Sequence, residues 1–426
     1  MTHVAVSLRR WPWVELGLLG FPLAFLALGF WLLRQLDVPT ASGHLWPAAV
    51  AAAGLIAAHV ALGVWCPRHD PVLLPLVAML NAVGLVMIER LASNFTARQV
   101  VAMLVGLTLA VVLAAWPHAL STLRRVRYSL ILPGILVLLI TVLIGLSPLG
   151  GGQSMFLRVG PIGFQPSEPL KLLLIIFLAS YLDQHHEKFR AVRLSRLWRE
   201  RRWLWVYFPM LFMWGFAMIL LVLQRDLGAA LLFFGIFLSM TYLATARRDY
   251  ALIGLGLFAV GASAAVQLFA HVRARLLIWR NPWPEADERA FQVVQALLAV
   301  AAGGVLGQGL GQGYPDFVPV VHSDFILVAV AEEFGVAGVL ATVGLYLMLM
   351  ERGFRAALRA RDGFAQLLAG GITVMLCLQA FIIMAGTLKL IPLTGVTLPF
   401  VSYGGSSLMT SYAATGLLLR VSADEP

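Results

Sequence analysis

The chain has 426 residues, of which 60% are hydrophobic and only 12% charged, against about 25% charged in an ordinary soluble domain. The apolar residues come in continuous blocks of about 20, enough to cross ~30 Å of hydrocarbon as helix, which excludes both a single aqueous-core domain and alternating barrel strands. The formal charge of +10 sits in short Lys and Arg clusters between those blocks, as topology signals do, and does not indicate a nucleic-acid partner.

The expected fold class is therefore all-α, a polytopic membrane helical bundle. Arg9 and Arg10 precede a first apolar block from about Gly17 to Leu33; Arg34, Gln35 and Asp37 follow it instead of a small-residue cleavage site, so it reads as a retained helix. Spans are predicted near 15–34, 45–65, 71–88, 99–116, 128–147, 168–183, 203–223, 227–246, 250–270, 326–349, 364–387 and 405–421, which makes about twelve. With a cytoplasmic N-terminus, one side receives Arg68, the group Arg124, Arg125 and Arg127, the segment 183–202, the pair Arg247 and Arg248, and Arg352 to Arg361. The basic clusters thus share one side, as the positive-inside rule requires, and both termini are expected to be cytoplasmic. Cys66 and Cys377 stand far apart without ligand spacing and read as small apolar packers.

The opposite side receives 148–167 with Gly150 to Gly152, the short turn Gln224 to Asp226, the long loop 271–325, and 388–404. Within the long loop, 291–307 is apolar but broken by glycines, which suggests a re-entrant or amphipathic segment; irregular backbone survives at membrane depth only beside protein or a wet cavity.

Polar residues gather in these outer segments. Arg158 and the run Gln165-Pro166-Ser167-Glu168-Pro169-Leu170-Lys171 lead into the sixth span, with Ser167 as a helix cap and Glu168 three residues from Lys171 on one face. That pair reads either as a surface-level cap with a weak ion pair or as an intramembrane pair lining a cavity. Arg225 and Asp226 form a polar knot between two spans, where they either satisfy each other or face a ligand. The stretch from Arg280 to Gln292 holds Glu285, Asp287, Glu288 and Arg289, as a solvated charge cluster or as a general base beside arginines that steady an anionic leaving group. After His322 and Ser323, Asp324 opens the tenth span, where the helix dipole favours a carboxylate, with Glu332 and Glu333 more than two turns further in. Last come Lys389 and the Gly- and Ser-rich run Thr394 to Ser407, whose Ser402, Tyr403, Ser406 and Ser407 serve close packing or a ligand.

Taken in order, the segments GFQPSEPLK, LQRDLG, NPW…Q, VVHSDF…EEFG and LTGVTLPFVSYGGSS resemble the SEDS family of bacterial membrane proteins, the RodA/FtsW/SpoVE type, from about residue 70 to the C-terminus. The resemblance implies a ten-helix core over 71–426, preceded by an N-terminal extension, 1–70, with two further spans. It implies a peptidoglycan glycosyltransferase that polymerises lipid II at the outer side of the cytoplasmic membrane, working with a class B penicillin-binding protein. Gln165, Pro166, Ser167, Glu168 and Lys171 match the family's QPSE…K motif, whose Glu and Lys line the central cavity; Asp226 matches its acid and Asp324, with Glu332 and Glu333, its DF…EE stretch, and Arg158, Arg280, Arg289, His322, Lys389, Ser402, Tyr403, Ser406 and Ser407 are further candidates for substrate binding or the cavity. Family members place an essential Asp three residues after the Pro of Asn-Pro and seven before a Gln; here Pro282 and Gln292 keep that spacing and Glu285 fills the slot, with Asp287 two residues later. The Arg-Trp or Lys-Asn-Trp pattern often found before the family's QPSE motif is replaced by Ser154, Met155 and Phe156. Glu285 is the expected base and Asp287 the second choice; a lipid II flippase, or a catalytically silent scaffold for a transpeptidase, are the competing readings. No soluble cofactor is expected, and a divalent cation is an alternative source of positive charge for the leaving pyrophosphate.

Overall fold

Apolar blocks of this length leave the backbone no partner but itself, and helices dominate the result. A computed structural model describes residues 11–144, 156–159, 162–191 and 202–424. In chain order it has α1 (Trp11–Gln35), α2 (Trp46–Trp65), α3 (Leu73–Ala115), α4 (Ala119–Arg125) and α5 (Arg127–Ile144), then a hairpin of β1 (Leu157–Val159) and β2 (Ile162–Phe164). There follow α6 (Ser167–Ala191), α7 (Arg202–Leu223), α8 (Leu227–Thr245), α9 (Arg248–Leu268), α10 (Ala270–Arg280), α11 (Phe291–Gly303), α12 (Ile326–Arg359), α13 (Gly363–Thr387) and α14 (Gly405–Ala423). Among the described residues, eight helices are long and apolar enough to cross a membrane. The segments Arg9–Arg10, Gly150–Gly152, Ser154–Met155 and most of the basic stretch after Ala191 lie outside the described residues.

Two expected spans, 71–88 and 99–116, are joined in α3. Its 43 residues amount to about 65 Å of helix at 1.5 Å per residue, twice a bilayer core. The helix is interrupted instead at Ala92 (φ −157°, ψ 66°), so the expected connecting loop is a kink. The segment expected to be re-entrant contains the 13-residue α11, which ends where Gly303 and Gly304 begin a glycine-rich run.

The described residues divide into two compact units, the first within Met1–Ala115, Ala265–Arg352 and Gln379–Ala423, the second within Trp116–Ala264, Gly353–Leu378 and Asp424–Pro426. In the first unit α3 is central. Gly106 sits against Tyr412 and Gly416 against the backbone of Ala110, so α14 lies close along α3 where side chains are smallest. Gly29 of α1 meets Val86 and Gly54 of α2 meets Leu104, which seats the two N-terminal helices on the same α3. In the second unit Leu174, Ile175, Phe177 and Leu178 of α6 are buried with Phe233, Ile236 and Met240 of α8, and Gly371 of α13 admits Ile175 and Met240.

α12 is also broken, at Gly335 (φ 68°, ψ −168°). A Cβ there would lie 2.4 Å from the Gly307 nitrogen and the Val305 carbonyl oxygen, so only glycine fits. The run after α11 takes over the groups the break exposes: Gln308 and Gly309 donate to the carbonyls of Glu332 and Glu333, and Val336 and Ala337 donate to those of Gly304 and Val305.

Candidate functional site

In the second unit the β1–β2 hairpin, with Arg158 opposite Gly163, leads directly into α6. Only the backbone of Arg158 is described; its side chain lies outside the described residues. α6 already begins at Ser167, so this serine occupies the first helical position rather than the cap expected for it. Lys171 Nζ stands 2.9 Å from Glu168 Oε2, and the lysine is among the largest fully buried side chains. A buried ammonium of this kind is held by its carboxylate because the unpaired charge would be far costlier. Gln165 Nε2 reaches Asp226 Oδ2 at 3.5 Å, the outer limit of a hydrogen bond. Of the two readings open for Arg225 and Asp226, the mutual pair is not formed: Arg225 takes a left-handed φ of 58° and is exposed, while Asp226 Oδ1 accepts from Ala229 N at 2.9 Å and caps α8. A carboxylate there suits both the free amides and the positive helix end.

In the first unit the Asn-Pro stretch after α10 folds into a 3-10 turn over Trp283–Glu285. The carbonyl of Glu285 accepts from both Glu288 N (3.1 Å) and Ala290 N (3.0 Å), making it the hub of the turn. The partly buried Glu285 lines a pocket of ≈ 280 Å³ with Leu277, Ile278, Arg280, Asn281 and Pro284. Asp287 and Arg289, two and four residues on, are exposed and do not line it. The turn thus separates two carboxylates that the sequence left as rivals.

The stem of this loop is tied to the segment after α13. Trp279 Nε1 donates to the Lys389 carbonyl (3.1 Å), and Arg275 Nη1 donates to the carbonyls of Leu393 (3.4 Å) and Thr394 (3.3 Å). Asp324 does not open α12, which starts two residues later at Ile326; it accepts from Ser323 Oγ at 3.0 Å. Burial pushes the Asp324 carboxyl above its ordinary range, opposed by the Ser323 hydroxyl and the Arg275 charge. His322 stacks on Phe95 with 5.1 Å between centroids and meets Tyr403 edge-on at 5.7 Å, and burial lowers its pKa.

The Gly- and Ser-rich run is spent largely on packing. Ser402 Oγ donates to the Ser323 carbonyl and accepts from Leu398 N (2.9 Å), while Thr397 Oγ1 donates to Ser407 Oγ (2.7 Å). Gln99 grips the run from α3, through Ser402 O (3.1 Å) and Gly404 N (3.3 Å). Ser402, Ser406 and Ser407 are buried, whereas Tyr403 and Lys389 remain partly exposed. Of the five, the latter two keep access to a ligand.

Sequence reasoning passed over Arg90 and Glu89, at the end of the first half of α3. Arg90 is buried and donates to Glu333 Oε1 (2.9 Å), Asp316 Oδ2 (3.1 Å), Gly313 O (2.9 Å) and Thr40 Oγ1 (2.8 Å). Glu332 Oε1 accepts from Tyr314 N (2.8 Å) alongside. Its only sequence signal was an Glu-Arg pair inside an apolar block, where charge is expensive and calls for a partner. Among the described residues no group of three or more His, Cys, Asp or Glu is placed to hold a metal ion.

The profile of the FtsW/RodA/SpoVE family, described as cell cycle protein, matches residues 71–426. The chain belongs to the FtsW/RodA/SpoVE family. It is 37% identical over 380 residues to the peptidoglycan glycosyltransferase RodA of Mycobacterium tuberculosis, covering 86% of this chain and 80% of that one. It is 33% identical over 369 residues to the probable peptidoglycan glycosyltransferase FtsW of Geobacter sulfurreducens, covering 83% and 95%. Among solved structures it is similar to a chain from work on the coordination of polymerization and crosslinking by a peptidoglycan synthase complex, with a TM-score of 0.70 at 29% identity, covering 84% of this chain and 98% of that one. It is also similar to the rod shape determining protein RodA of Thermus thermophilus, with a TM-score of 0.59 at 28% identity, covering 84% and 97%. The FtsW/RodA/SpoVE match bears out the resemblance carried by the motifs, and it leaves residues 1–70, with α1 and α2, outside the matched region.

Proposed function

We propose that this FtsW/RodA/SpoVE protein is a peptidoglycan glycosyltransferase that polymerises lipid II on the outer side of the bacterial cytoplasmic membrane, with both termini cytoplasmic. Names and extents of the relatives support the activity. The observation that carries the mechanism is that Glu285 and Arg280 line one pocket while Asp287 does not. Glu285 takes the proton from the 4-hydroxyl of the acceptor's terminal sugar as that oxygen bonds to the anomeric carbon of the donor. The bond from that carbon to the lipid-linked pyrophosphate breaks with inversion, and the pyrophosphate leaves with the electron pair. Arg280, which lines the same pocket as the base, offers positive charge to the leaving group. Glu168, Lys171 and Asp226 of the second unit are the further substrate-binding residues.

A class B penicillin-binding protein is the proposed partner, supported by the likeness to a chain of a synthase complex. The test is glycan polymerisation from purified lipid II by the wild type, Glu285→Gln and Asp287→Asn, with the partner present. Polymer from the wild type and not from Glu285→Gln is expected. An inactive wild type overturns the enzyme, leaving the flippase and scaffold readings; an active Glu285→Gln overturns only the base.

A further inference from the structure

We propose that the turn between α1 and α2, residues 36–45, is a positioning element for the outer loop of the first unit, acting through Thr40 and Ser42. Both residues lie outside the family-matched region, yet both bind its buried charges. The break of α3 at Ala92 deprives the preceding carbonyls of helical donors, and the Thr40 hydroxyl donates to the carbonyl of Arg90. The same hydroxyl accepts from Arg90 Nη1 at 2.8 Å, so Thr40 holds the arginine at its backbone and at its guanidinium. Ser42 donates to Glu89 Oε1 through its backbone N–H (2.9 Å) and its hydroxyl.

The guanidinium so held fastens the loop. Its other partners are Glu333 of α12, Asp316 and the carbonyl of Gly313. A second contact runs beside it: a Cβ on Gly311 (φ 78°) would meet Val38 at 2.8 Å and Leu36 at 3.4 Å, so the glycine run seats directly on the turn. That run continues from α11, which itself continues from the turn carrying Glu285. The extension therefore sets the far end of the loop whose near end carries the base. A displaced base loses rate more than binding, because about 1 Å of misplacement is costly for the chemical step.

The proposal is tested on the full-length chain in nanodiscs, with Thr40→Val and Ser42→Ala singly and together, Thr40→Ser as the conservative variant and Phe21→Ala of α1, 70% exposed, as control. Hydrogen exchange of the peptide 304–316 is expected to quicken about fivefold in Thr40→Val, the scale of one lost net hydrogen bond, and to stay at the wild-type rate in Thr40→Ser and Phe21→Ala. The kinetic arm rests on the glycosyltransferase reading: kcat for lipid II polymerisation falls about fivefold with KM unchanged, and Thr40→Ser restores it. If the double variant does not accumulate, the single variants decide the question. Wild-type exchange at 304–316 in Thr40→Val and Ser42→Ala overturns the proposal. A response in exchange from a chain that makes no glycan leaves the positioning element standing and removes the enzyme instead.

Discussion

Lys171 Nζ lies 2.9 Å from Glu168 Oε2 one turn away on α6, and the lysine side chain is only 2% exposed. Taking the ammonium away leaves the buried Glu168 carboxylate without it. Lys171→Met is expected to destabilise the protein by about 3–5 kcal/mol, and the double variant Glu168→Gln/Lys171→Met to recover most of that. Thermal unfolding in nanodiscs measures both; a single-variant cost under about 1 kcal/mol would mean that water screens the pair.

Glu285 and Asp287 are separated by the same comparison of rates. Glu285→Gln is expected to lose about 10²- to 10⁴-fold in polymerisation, the usual worth of a positioned base, while Asp287→Asn stays within about threefold of wild type. A reversed order would move the base to the exposed side of the turn.

Asp226 serves as a helix cap whatever else it does. Asp226→Ala is expected to cost about 1 kcal/mol of stability, whereas Asp226→Asn keeps an accepting oxygen for Ala229 N and with it the stability. A loss of activity in Asp226→Asn at unchanged melting temperature then isolates a role for the charge.

His69 gives the pH dependence a definite sign. Its Nδ1 lies 2.6 Å from the Cys66 carbonyl and its Nε2 2.6 Å from Glu15 Oε2, while His59 Nδ1 is 3.1 Å from the other Glu15 oxygen. Burial alone lowers the His69 pKa, but the hydrogen bond and charge of Glu15, the Cys66 carbonyl and Asp70 outweigh it, and the net shift is upward. The stabilisation is then complete below the ordinary histidine value of about 6.5 and disappears as pH rises through the raised folded value. Melting temperature is expected to fall across that window in the wild type and to run flat in His69→Gln, while the wild type staying flat would remove the coupling.

The sequence carried the helices because lipid demands them in plain sight, although two apolar blocks share the one helix α3. Glu168 and Lys171 were legible because their contact is local, three residues apart on one helical face. Arg90 was not, since its partners stand 50 to 243 residues away and no periodicity points across such distances. Arg275 was missed for the same reason, as it answers to carbonyls 118 and 119 residues downstream. The break in α3 fell where two spans were expected with a loop between them; the length was readable but not the way the chain would turn.

The turn at Glu285 has a last consequence. Its backbone is fixed by two amides on the Glu285 carbonyl, whatever the side chain does. Glu285→Asp therefore retracts the carboxylate by one methylene from an unmoved anchor, and Glu285→Gln blunts it at full length. Under the proposed mechanism, side-chain length at position 285 becomes a ruler: the rate of Glu285→Asp against the wild type reads how much reach the proton transfer needs, and Glu285→Gln gives the rate without a base.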